Sequence, residues 1–148
     1  MVLSSMENLL ERKFGMNGFF PGAKLFRKKR VLEINLLAMD LRRENDSAFL
    51  VEFNSDLTKE DVRRFLKTIK RFPKFAPDDM ADRKLYGIVA TRSISEDLRN
   101  KVLKKGLYLA RISGETCKLQ VPTGFIPKAF GGKGDKANRS KRTKKSKR

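Results

Sequence analysis

The chain has 148 residues and a formal charge of +18, with 39% hydrophobic residues, one cysteine and no histidine. Without histidine, Ser/His and Cys/His nucleophilic catalysis is excluded, and zinc lacks its usual imidazole ligands, so any metal would be held by oxygen, as Mg²⁺ or Mn²⁺. No apolar run reaches the ~18 residues of a membrane span, no secretory signal opens the chain, and Cys117 has no disulfide partner, so one cytoplasmic domain over residues 1–130 is expected.

Leu3, Met6, Leu10 and Phe14 recur at helical spacing, which predicts a first helix ending at Gly15. Residues 17–22 (NGFFPG) read as a turn, and residues 23–30 lead into the first strand through the basic cluster Arg27, Lys28, Lys29 and Arg30. That cluster suits either a phosphate-contacting edge or a charged strand edge that discourages aggregation. Val31–Met39 and Ala48–Asn54 read as two strands joined by the polar turn of residues 40–47. Period-two alternation assigns Glu33 and Asn35 to one side of the first strand and Glu52 and Asn54 to one side of the second. All four are expected on a shared face, where buried polar groups are costly unless paired or used.

Thr58 with Asp61 three positions on reads as a capped helix start. Val62, Phe65, Leu66, Ile69 and Phe72 form its apolar face, and Lys59, Arg63, Arg64, Lys67, Lys70 and Arg71 its basic one. Pro73 and Pro77 are expected to break it. Leu85–Ala90 reads as a central strand covered on both faces. Ser93 or Ser95 caps a further helix through Lys105, Leu107–Ile112 supplies the next strand, and residues 117–121 an edge strand. Residues 125–130 are expected to pack back on the body. Helix after strand, twice, predicts an α/β fold with a central mixed β-sheet flanked by helices.

From Gly131 to Arg148 the chain holds nine Lys or Arg and one Asp, a net of +8, with no apolar residue larger than alanine. Such a segment buries nothing and is expected to be disordered when free. Its cations Arg139, Lys141, Arg142, Lys144, Lys145, Lys147 and Arg148, with Arg27–Arg30, are the candidate nucleic-acid contacts.

The sequence Glu33-Ile34-Asn35, a hairpin, then Glu52-Phe53-Asn54 resembles the E-I-D…E-V-K core of the PD-(D/E)XK, restriction-endonuclease-like superfamily, and more narrowly a bacterial family within it. The resemblance extends from about Met6 to Phe130 and includes KLYGIVA (84–90), GLYLAR (106–111) and FIP (125–127). It implies a restriction-endonuclease-like core and a catalytic site at Glu52, Asn35 and Asn54. It further implies Mg²⁺ or Mn²⁺ held by Glu33, Glu52 and Asn35, and a supporting acid on the first helix, Glu7 or Glu11. Asn35 stands where the family has its first Asp, and Asn54 where it has Lys. A carboxamide brings neither the negative charge a hard cation needs nor the positive charge of an ammonium group.

Three readings follow. The chain is a nucleic-acid-binding protein with a nuclease-like fold and a degenerate metal site, with DNA ahead of RNA as the ligand. Alternatively it is an active Mg²⁺-dependent endonuclease using Glu33, Glu52 and a migrated acid, Asp40 or Asp56. The third reading is a structural or ribosome-associated basic protein. A homodimer is a further option, and no membrane partner is expected.

Overall fold

A computed structural model describes residues 1–131; the tail cations named above lie outside the described residues. Helix α1 (Val2–Phe14) buries Met6, Leu9 and Leu10, and stops at Gly15, whose φ of 72° is the left-handed conformation a glycine accepts without strain. Six strands follow among the described residues: β1 (Gly18–Arg27), β2 (Arg30–Met39), β3 (Ser47–Asp56), β4 (Lys84–Ser93), β5 (Tyr108–Ser113) and β6 (Thr116–Leu119). They form one sheet in sequence order, in which β3, β4 and β5 are parallel and the outer neighbours antiparallel. Parallel neighbours need a crossover. Helix α2 (Lys59–Phe75), followed by the short α3 (Asp78–Ala81), makes the first, and α4 (Glu96–Lys104) the second. This is the expected α/β architecture, a mixed sheet flanked by helices.

The sheet separates two apolar layers. On one face Ala48 and Leu50 of β3 and Leu85 and Val89 of β4 meet Phe65, Ile69 and Phe72 of α2 and Val102 of α4. On the other, Phe49, Val51, Ile88 and Ala90 meet Met6, Leu9 and Leu10 of α1. Alternate residues of the central strands thus serve opposite layers, which is why β4 reads as a continuous apolar run. Residues 125–130 do pack back: Leu85 and Phe130 exchange backbone hydrogen bonds, and the Lys128 N–H donates to the Gly106 carbonyl.

Two expectations fail. Residues 18–22 belong to β1 rather than to a turn, and Pro21 is accommodated because β1 is an edge strand. Pro73 lies inside α2, which continues two residues past it to Phe75. Proline forfeits only its own N–H bond there, and the buried Phe72 beside it holds the last turn on the sheet.

Thr58 caps α2 as expected: its hydroxyl accepts from the Asp61 N–H, and the Asp61 carboxylate accepts from the Thr58 N–H. Gly87 lies where α2 presses closest on the sheet, since a Cβ there would come within 2.6 Å of Leu107 and 2.7 Å of Ile69. Two substitutions test this layer by urea denaturation. Phe65→Ala, at a position 2% exposed, is expected to cost about 3–5 kcal/mol. Gly87→Ala is expected to destabilise by about 1–3 kcal/mol through overpacking.

Candidate nucleic-acid interface

The β2–β3 ladder runs from Met39↔Ala48 to Leu36↔Val51 and stops there. At that point the Phe53 N–H donates to Asn35 Oδ1 at 3.0 Å, so a side chain replaces the next backbone contact. The inward parity of β2 also reverses here. Leu32 and Ile34 belong to the α2 layer, whereas Leu36 and Ala38 belong to the α1 layer. Opposite Asn35 on β1 lies Gly22, at φ +61°, and this pair is missing from an otherwise unbroken register.

The reversal takes Glu33 off the expected shared polar face. Glu33 lies between Leu32 and Ile34, so it points away from α2, and it forms an exposed ion pair with Lys24 at 3.8 Å. Glu52 has the parity of Ala48 and Leu50 and faces α2, where Asp61 and Arg64 are its charged neighbours. Asn54 stays with Glu52, donating Nδ2–H to Oε2 at 3.1 Å. Asn35 and Asn54 nonetheless line one cleft, where the two strands part.

Burial, with the Asp61 carboxylate beside it, pushes the Glu52 carboxyl up to about 7, and Arg64 and Asn54 only partly offset this. Asp61 is itself committed to Thr58 and Arg64. Desolvation raises its pKa, but these partners outweigh that and hold it below the usual carboxylate value. Of the two migrated acids, Asp56 is exposed at the end of β3. Asp40 is buried at the opposite end of the hairpin, where it accepts hydrogen bonds from Asn17 Nδ2 and from the N–H groups of Arg42 and Asn45. Burial raises its pKa, and those bonds together lower it. Asp40 is a turn-former, spent in folding residues 40–47. Among the described residues no group of three or more Asp, Glu, His or Cys side chains is placed to hold a metal ion, Glu7 and Glu11 included. Glu33 and Glu52, the two carboxylates expected to hold Mg²⁺ or Mn²⁺, lie on opposite faces of the sheet and do not form one donor set.

The basic cluster has a more definite setting. Lys28 and Lys29 form the two-residue turn between the paired Arg27 and Arg30, and Lys28 takes a left-handed φ of 57°, where glycine is the usual occupant. Below Arg27, Leu25, Leu32 and Ile34 pack in the α2 layer, which lays the hairpin tip against the end of that helix. The Arg27 guanidinium donates to the carbonyl of Lys74, satisfying one of the acceptors every helix leaves at its C-terminus. A groove of about 760 Å³ results, lined by Arg27, Lys28, Lys29, Arg30, Arg71, Lys74 and Phe75. Among the described residues six cations line it and no acid does. The cleft beside Cys117 on the opposite layer has three cations, Arg12, Lys13 and Lys118.

Lys74 and Phe75 are not legible as part of this site in the sequence, because Pro73 predicts the end of the helix that carries them.

No family model matches the chain, and no curated protein matches it. A solved structure, a repair endonuclease from Pyrococcus abyssi, is similar over 76% of this chain and 47% of that one, at 15% identity and a TM-score of 0.45. The chain therefore spans less than half the length of that protein.

The environment of Glu52 gives a pH prediction. Its folded pKa lies above the ordinary value of 4.5, so between about pH 4.5 and 7 the folded state holds the proton more tightly than the unfolded chain. Its contribution to stability therefore falls as pH rises through that window. Glu52→Gln keeps an acceptor for Asn54 and removes the charge. It is expected to raise the melting temperature at pH 8 and to lose most of that advantage at pH 5. A difference that does not change with pH contradicts the assignment.

Proposed function

We propose that this protein binds nucleic acid through the groove between the β1–β2 hairpin tip and α2, on a nuclease-like fold whose metal site is degenerate. The observation that carries the reading is the convergence of six cations, with no acid, on one groove. Holding like charges together in a folded protein costs energy, and a polyanion offsets that cost by releasing its own counterions as phosphates are neutralised. DNA is the first choice of ligand. Lys67 and Lys70 continue the basic surface along α2, a helix of 17 residues and thus about 25 Å long. Arg63 and Arg64 contribute less, being paired with Glu60 and Asp61. The basic tail acts as a second, sequence-independent arm.

The resemblance to the PD-(D/E)XK superfamily supports the nuclease-like reading of the fold. Replacement of an Asp and a Lys by Asn35 and Asn54, with Glu33 and Glu52 on opposite faces, supports loss of cleavage. Phosphate contacts of this kind position a strand without reading its sequence, so affinity with little specificity is the expected behaviour.

Fluorescence anisotropy with a labelled oligonucleotide over a salt series tests this. The double variant Arg71→Gln/Lys74→Gln is expected to weaken binding and flatten the salt slope by about two. Deletion of residues 131–148 should flatten it further with no loss of thermal stability. Unchanged affinity in the double variant would overturn the groove as the interface. In a plasmid assay with Mg²⁺ or Mn²⁺, wild type and Glu52→Gln are both expected to leave the substrate intact. Cleavage by wild type alone would instead establish an enzyme.

A further inference from the structure

We propose that the outer face of the β1–β2 hairpin tip stacks an unpaired base on Phe26, so that the protein takes single-stranded nucleic acid ahead of duplex. The inference rests on the nucleic-acid reading above and adds to it a residue that does not line the groove. Side chains alternate along both strands, and Leu25 and Leu32, paired across them, pack in the α2 layer. The next pair, Phe26 and Val31, therefore faces the other way. Phe26 is 71% exposed and Val31 47%, and among the described residues neither belongs to an apolar layer. An isolated exposed apolar side chain is ordinary. A ring directly across from a β-branched side chain is a small apolar platform, held in place by the strand pairing.

The charge around this platform is complementary to a nucleotide chain. Arg27, Lys28, Lys29 and Arg30 follow directly on Phe26, and Lys28 and Lys29 form the turn just beyond the Phe26–Val31 pair. Glu33, the acid on the same face, is occupied by Lys24 at 3.8 Å. The Arg27 guanidinium, bonded to the Lys74 carbonyl, fixes the tip on α2. A base stacks its π-face on an aromatic ring whatever its identity, and the adjoining cations take the phosphates on either side. In a duplex those faces are already stacked on one another. Its stiffness, a persistence length of ~50 nm, also keeps it from bending around a two-stranded tip. A single strand can lay phosphates in the groove, cross the Lys28–Lys29 turn and place a base on Phe26.

The probes are a labelled oligothymidylate and a duplex with the same number of phosphates, each titrated into the full chain at one salt concentration. The single strand is expected to bind more tightly. Phe26→Ala should weaken it about tenfold, the loss of one stacked base, and leave duplex binding as in wild type. Phe26→Leu, which keeps an apolar side chain on the hairpin without a ring, should show the same loss. Phe26→Trp should bind as wild type does. Since the chain has no tryptophan, the indole fluorescence of that variant should be quenched saturably by oligothymidylate and not by the duplex. Equal wild-type affinity for the two probes, Phe26→Leu binding as wild type does, or an unquenched indole would each overturn the inference. Binding of both probes that is weakened alike by Arg71→Gln/Lys74→Gln, alongside any of those results, leaves the groove standing. Absence of binding to either probe removes the groove reading itself.

Discussion

The break between β2 and β3 at Asn35 shapes everything described above. Up to Leu36 the two strands share backbone hydrogen bonds. Beyond it, the Asn35 side chain holds Phe53 and the outer half of β2 is released from β3. Reversal of parity at the same residue turns Leu32 and Ile34 onto α2, carrying the paired residues of β1 with them. The hairpin tip thereby reaches the last turn of α2 and closes the groove. Where the two strands part, a cleft of about 420 Å³ opens, lined among others by Asn35, Phe53, Asn54 and Arg92.

Electrostatics then differentiate them. At the groove, cations from two elements are brought together, and the docking contact, Arg27 on the Lys74 carbonyl, uses a cation at the negative end of a helix dipole. Around Glu52 the opposite holds. Its charge is opposed by burial and by Asp61, and Arg64 is shared with Asp61. A carboxyl pushed up to about 7, whose acidic neighbour Asp61 is committed to Thr58 and Arg64, is a poor anchor for a divalent cation.

Much of the fold was legible in the sequence. The Thr58 cap, the 3.6-residue spacing from Val62 to Phe72, the apolar run of β4 and a serine cap at 93 or 95, which falls at Ser95, all record local rules that burial on the sheet reinforces. What was not legible depended on long-range contact. Nothing local in Asn17–Gly22 announces a strand, because β1 exists only by pairing with β2. Nothing local in Pro73 reveals that Phe72 keeps the helix in place. The candidate polar site was only partly legible: strict alternation assigns Glu33, Asn35, Glu52 and Asn54 to one face, whereas the parity reversal in β2 turns Glu33 away and leaves Asn35 and Asn54 on one cleft. Arg27–Arg30 could be read as a basic cluster, but its partners on α2 could not.

The central claim is that polyanion binding is localised to the hairpin–α2 groove. Its most direct test is lysine-acetylation footprinting of the full chain with and without a saturating DNA oligonucleotide, read by mass spectrometry. The account predicts strong protection of Lys28, Lys29 and Lys74, weaker protection of Lys67 and Lys70, and unchanged reactivity at Lys13 and Lys118 on the opposite layer. Equal protection of both groups, or protection at Lys13 and Lys118 alone, would contradict it.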